Sequence, residues 1–247
     1  MPDAPAAGLA ARLAAVRAEI ARAARASGRD ASAVRIVAVT KTHPPEVVRA
    51  ALAAGLEDIG ENYVQEARAK RAAVGGGGVW HLVGGLQRNK VRQAVGCFDR
   101  VQSVDSAALG AALGAAALAA GRRMPVLLQV NVGGEATKRG VAPDAVEDTV
   151  AALLAEPGLA LDGLMTIAPA PARGGAARGV FRVLREVRDR AARRLGVELP
   201  HLSMGMSGDF SVAVEEGATW VRLGHVLFGA RGPGAWRPGE GAGGEGS

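Results

Sequence analysis

Eight short apolar runs recur along the chain, each followed by a stretch with helical spacing. The runs cover residues 34–40, 56–60, 79–83, 99–104, 126–132, 159–167, 199–203 and 219–223. The first reads VRIVAVT and the fifth VLLQVNV. Runs of this length and β-branched content fit parallel strands buried on both faces. The segments between them, 46–54, 62–73, 87–95, 107–120, 144–154, 180–195 and 210–216, space their apolar residues as helices do, and glycine or proline closes several. Eight strand–helix units in 247 residues predict a single (β/α)8 barrel, an α/β fold. An open doubly wound sheet is the alternative. No GxGxxG follows the first strand, however, and eight units suit barrel closure better. A further amphipathic helix over 6–26 carries Leu9, Leu13, Val16 and Ile20 on one face. The segment after strand eight leaves room for a short helix or none, so the N-terminal helix is expected to cover that place. The barrel domain spans 1–231, and the Gly- and Pro-rich tail 232–247 reads as disordered.

With 49% hydrophobic but only 3% aromatic residues, the core must be built from Ala, Val, Leu and Ile. A net charge of +6 raises nucleic acid as a partner. The arginines are spread among acids along helical stretches, and stacking aromatics are scarce, so the charge reads as solvated helix surface. No nucleic-acid partner is expected. The single cysteine, Cys97, excludes an internal disulfide and a cysteine metal cluster, and beside Phe98 at a strand start it reads as a small core residue. The four histidines show no metal-ligand spacing such as HExxH. The N-terminus carries charges through its apolar stretch, unlike a signal peptide, and no run approaches the roughly 18 apolar residues of a membrane span. A cytoplasmic monomer with no membrane partner is expected. Four consecutive glycines at 75–78 lack phosphate-binding spacing and read as a surface loop.

In such a barrel the chemistry gathers at the carboxyl ends of the strands. Strand one ends in Thr40 and Lys41, with Pro44 and Pro45 suited to the first turn of the next helix. A lysine held there loses solvation, which favours its neutral amine, and a neutral amine attacks carbonyls. The plainer reading is a lysine that reaches out to solvent. The same face receives Glu61, Asn62, Gly84, Gln87, Asn89, Asn131, Met165, Thr166, the run Ser203 to Gly208, Arg222, Gly224 and His225. The segment SMGMSGD offers hydroxyls and backbone N–H groups before a helix, as an anionic phosphate requires. Equally, Ser207 reads as the cap of that helix. A Schiff-base lysine opposite a phosphate cradle suits one ligand, pyridoxal 5′-phosphate (PLP), which has an aldehyde and a phosphate. Arg222 lies between the two ends, and an arginine facing the pyridine nitrogen keeps that nitrogen unprotonated.

The segments VAVTKTHP, IGENYVQEA, WHLVGGLQRNK, LLQVNVGGEATKRG, GLMTIAP, LSMGMSGDF and VRLGHVLFGAR, in this order, resemble the YggS/PROSC family of PLP homeostasis proteins. The resemblance runs from about residue 34 to 231. It implies a barrel similar to the N-terminal domain of alanine racemase, with PLP held as a Schiff base on Lys41. It also implies Asn62 near the ring, Ser207 and Gly224 with Ser203 on the phosphate, and Arg222 facing the pyridine nitrogen. The family commonly has threonine where this chain has His225, whose imidazole or backbone N–H is then the phosphate contact. The function implied is holding and handing on PLP, with apo PLP-dependent enzymes as recipients and without turnover. The alternative is a PLP-dependent racemase, which needs a second acid–base group on the far face. Tyr63, the only tyrosine, is a candidate, though packing at the helix start suits it better. A Schiff-base aldolase on the same barrel is a third reading, disfavoured because its lysine usually comes from a later strand.

Overall fold

A computed structural model of the protein describes residues 8–135, 138–169, 175–229 and 236. Eight parallel strands close in chain order into a barrel: β1 (Arg35–Val39), β2 (Asp58–Glu61), β3 (Val79–Leu82), β4 (Arg100–Val104), β5 (Met124–Gln129), β6 (Leu159–Met165), β7 (His201–Ser203) and β8 (Trp220–Leu223). β1 pairs with β2 on one side and β8 on the other, with Val37 opposite both Asp58 and Arg222. Closure removes every free sheet edge, as expected from the eightfold rhythm.

Around the barrel lie α1 (Leu9–Ala26), α2 (Pro45–Ala53), α3 (Val64–Val74), α4 (Val91–Val95), α5 (Ala107–Ala119), α6 (Val146–Leu154), α7 (Gly175–Leu195), α8 (Phe210–Glu215) and α9 (His225–Phe228). Pro45 occupies the first turn of α2, where its missing N–H has no helical acceptor to lose. The segments expected as helices from 87 and 144 begin as tight 3-10 turns, Arg88–Lys90 and Pro143–Ala145. α9 has four residues, and α1 covers the place it leaves. The apolar face of α1, Leu9, Leu13, Val16 and Ile20, is buried, and the helix packs against α8 and α9. Arg12 Nε donates to the Leu227 carbonyl at 2.6 Å, and Arg29 donates to the carbonyls of Val214 and Ala218 at 2.7 and 2.9 Å.

The main core fills the layer between barrel and helices. A second, small cluster of Val37, Val83, Leu127, Met165 and Trp220 sits inside the barrel. β6 and β7 approach closely at Gly163, which lies opposite His201. Gly163 has φ 157°, and a Cβ there would stand 1.9 Å from the His201 carbonyl oxygen.

Two strands sit differently from their apolar runs. β2 lies at Asp58–Glu61 rather than 56–60, because Asp58 and Glu61 are buried with partners and interrupt the hydropathy signal. β5 ends at Gln129, and Val130 forms only an isolated bridge to Val141. Cys97 is buried in the turn before β4 rather than at the strand start, and burial pushes its thiol up to about 11. The tail expected to be disordered lies outside the described residues except for Trp236, whose backbone N–H donates to the Thr42 carbonyl at 3.0 Å. Residues 1–7, including the expected first turn of the N-terminal helix, also lie outside them.

Candidate functional site

The carboxyl ends of the strands enclose a cavity of about 560 Å³. Lys41, Asn62, Ser207, Arg222, Gly224 and His225 all line it, with Val39, His43, Val83, Ile167, Met206, Gly208 and Gly229. Residues from β1, β2, β7 and β8 thus converge as the strand-end argument predicts. A second lobe of about 330 Å³, containing Lys138 and Arg139, shares Asn62, Val83 and Ile167 with it. Gln87 and Asn89 are exposed and do not line either space.

Lys41 enters from the turn after β1, half-buried. Ser207, which lines the same cavity, does not cap α8. Asp209 holds the N-cap position, and its Oδ1 accepts from the Met206 N–H at 2.6 Å and so braces the loop. Burial raises the Asp209 pKa despite that bond and the charge of Arg222. The Ser207 hydroxyl instead accepts from the Val226 N–H at 3.2 Å, in the first turn of α9. The hydroxyl and the backbone N–H groups after β8 therefore face one another. Gly224 lets the chain pass close to β1, since a Cβ there would meet the Val39 carbonyl oxygen at 3.0 Å. His225 is exposed at the rim. Tyr63, expected to pack at the start of α3, is 60% exposed and does not line the cavity.

Arg222 is buried, and burial pushes its pKa down to about 10, so it stays a cation at neutral pH. Its guanidinium donates to Ser203 Oγ and to the Thr166 carbonyl, both at 2.7 Å. Ser203 was expected among the phosphate ligands. Instead it sits beneath the cavity floor, fully buried, with its oxygen between Arg222 and Gln102 Oε1 at 2.6 Å.

The chain of bonds continues down the barrel. Gln102 Nε2 reaches His81 Nδ1 at 2.8 Å, His81 Nε2 reaches Asp58 Oδ1 at 2.9 Å, and Asp58 Oδ2 accepts from Arg35 Nε at 2.7 Å. Asp58, held ionised beside Arg35, can only accept, which fixes the direction of the bonds back to Ser203 when His81 is neutral. Gln102 then donates to Nδ1, and neutral His81 donates from Nε2 to Asp58. A proton on Nδ1 would face the Gln102 amide hydrogens. Burial likewise holds His81 below its ordinary range against the pull of Asp58. Burial raises Asp58, but His81 and Arg35 outweigh it and leave that carboxyl below its usual range. Asp58, His81 and Gln102 gave no signal in sequence, since each reads as a break in an apolar run.

Beneath the Lys41 turn lies a second buried polar group. Lys70 Nζ donates to Glu61 Oε1 and Glu66 Oε1, each at 2.7 Å, and to the Thr40 carbonyl at 2.6 Å. Burial pushes Glu61 up to about 7, with Glu66 adding to the rise and Lys70 and Thr40 opposing it. Its Oε2 has no partner among the described residues. The unfolded carboxyl titrates near 4.5, so the folded state gains from proton binding at low pH and loses that gain as pH rises from about 4.5 to about 7. His81 acts oppositely over part of the same range, so the contrast lies with Glu61→Gln. The stability of wild type relative to that variant should fall between about pH 4.5 and about pH 7 in urea unfolding. Parallel pH profiles for the two proteins would remove the raised carboxyl.

Residues 11–232 match the family model described as alanine racemase, N-terminal domain. The chain is 44% identical over 228 residues to the pyridoxal phosphate homeostasis protein of Pseudomonas aeruginosa, covering 92% of this chain and 97% of that one. The Aquifex aeolicus protein of the same name is 42% identical over 221 residues, covering 89% and 97%. Among solved structures, PipY of Synechococcus elongatus with PLP bound matches with a TM-score of 0.80 at 37% identity, over 90% of this chain and 100% of that one. Alanine racemase of Clostridium difficile, at 14% identity and a TM-score of 0.72, shares the fold and extends well beyond it, the match covering 57% of its chain. The chain belongs to the pyridoxal phosphate homeostasis protein family, built on the alanine racemase N-terminal domain.

Proposed function

We propose that the protein binds PLP at the barrel mouth and serves PLP homeostasis, holding the cofactor as a Schiff base on Lys41 without turnover of its own. One observation carries this reading: a single cavity is lined by Lys41, Ser207, Gly224 and the buried cation Arg222. The donor set suits a ligand with an aldehyde at one end and a phosphate at the other. Bound there, PLP supplies a reactive aldehyde and a conjugated ring. Lys41 would hold the aldehyde end through its amine. Ser207 and the N–H groups of Gly224 and His225 hold the dianion. Arg222 presents N–H groups and no acceptor, so an atom seated against it must accept. Asn62 orients the ring.

Turnover requires a second acid–base group facing the lysine, and Tyr63, exposed and outside the cavity lining, does not supply it. The recipients are apo PLP-dependent enzymes, and the protein acts as a cytoplasmic monomer. Equilibrium dialysis and visible spectra test the reading. Wild type should take up PLP with a visible band that borohydride bleaches, and amino acids added to the complex should yield no product. A colourless protein that takes up no PLP would overturn it, and product formation would shift the reading to the racemase-like enzyme.

A further inference from the structure

The turn that presents Lys41 is strained. Thr42 has φ 64°, the only positive value at a non-glycine among the described residues. A β-branched side chain avoids that region, and such a residue persists only where its surroundings over-determine it. The surroundings come from the next strand–helix unit. Glu66 accepts from the Thr42 N–H, and Glu61 Oε1 accepts from Thr40 Oγ1 at 2.6 Å. Lys70 donates to the Thr40 carbonyl and ties the two carboxylates together. Lys70 and Glu61 are fully buried and Glu66 nearly so. Glu66 and Lys70 stand one turn apart on the same face of α3. The three donors of the ammonium are thereby engaged, one on the backbone before Lys41 and two on carboxylates that grip either flank.

A fully buried ion triad is a weak source of stability, because desolvating its charges offsets most of their attraction. Well-packed apolar residues would hold α3 against β1 at least as well. What the triad supplies is direction: two fixed bonds, one on each side of a single residue. We propose that Lys70, with Glu61 and Glu66, is a positioning residue set for Lys41, clamping Thr40 and Thr42 so that the Lys41 amine enters the cavity at one fixed angle. This rests on the reading of Lys41 as the reactive amine.

The test uses Lys41 itself as the reporter. Apo protein is treated with a small phosphate-free aldehyde and cyanoborohydride, and modification of Lys41 is followed by peptide mass spectrometry. Separately, PLP uptake is followed by borohydride fixation. Glu66→Ala should slow both reactions at Lys41 by about tenfold, in keeping with the sensitivity of such steps to small misplacements. Glu66→Gln keeps an oxygen for the Thr42 N–H and should restore both rates. The double variant Glu66→Ala with Thr42→Gly removes the strain, since glycine accepts the left-handed turn. Its melting temperature should recover while Lys41 reactivity stays low. If reactivity returns together with stability, or if Glu66→Ala reacts as wild type does, the clamp is structural only and the proposal falls. The aldehyde arm needs no cofactor. A protein whose Lys41 responds to these changes but takes up no PLP overturns the PLP reading alone.

Discussion

Lys41→Ala leaves a folded barrel from which borohydride fixes no PLP to the chain. The substitution falls at a half-buried position at the cavity edge, so the change in stability should stay within about 0.5 kcal/mol. The covalent signal should drop to background, because Lys70 is buried and bonded to Thr40, Glu61 and Glu66, and Lys138 in the adjoining lobe is held by Glu135 and the Ala168 carbonyl. Non-covalent uptake should survive at lower affinity, since Ser207, Gly224 and Arg222 remain in place. Dialysis against PLP, with and without reduction, separates the two. Fixation on another residue in the variant would show that Lys41 is not the anchor.

Gly163→Ala should be among the most damaging single-methyl changes in the molecule. The added carbon would stand 1.9 Å from the His201 carbonyl oxygen, at a backbone φ of 157° that L side chains rarely adopt. The clash is with backbone, and no side-chain rotation relieves it. β6 and β7 would separate where Gly163 pairs with His201, next to the pairs that seat Leu202 and Ser203. Overpacking and backbone strain together should cost about 3 kcal/mol or more. In a chain of this size that lowers the melting temperature by about 6–12 °C. Ser203 supports Arg222, so PLP retention should weaken as well. Calorimetry of apo and PLP-loaded protein checks both, and an unchanged melting temperature would mean that the strands part at no cost.

The barrel was legible because its strands are buried on both faces and write themselves as near-continuous runs of Val, Ile and Leu. Lys41, Asn62, Ser207, Arg222, Gly224 and His225 were legible because position at a strand's carboxyl end is enough to bring them together. Ser203 was placed one layer too high. A three-residue strand leaves its register open, and only pairing to β6 and β8 shows that its side chain lies beneath Arg222. The polar interior was hidden for a related reason. Asp58, His81 and Gln102 belong to three different strands and meet only through barrel register. In α3, Glu66 and Lys70 look like an ordinary surface pair at helical spacing, yet both point inward. No periodicity distinguishes a buried ion pair from a solvated one.

The file of polar groups from Arg222 to Arg35 resembles a relay, but it has only one orientation. A proton relay must be able to reverse every donor and acceptor after each passage. Here both ends are guanidinium groups that cannot accept, and the imidazole in the middle is neutral with its one proton committed to Asp58. The file therefore conducts nothing. It insulates: whatever rests against Arg222 receives a fixed array of N–H groups from the barrel and no mobile proton. A site backed in this way offers an atom resting against Arg222 hydrogen-bond donors and no exchangeable acid.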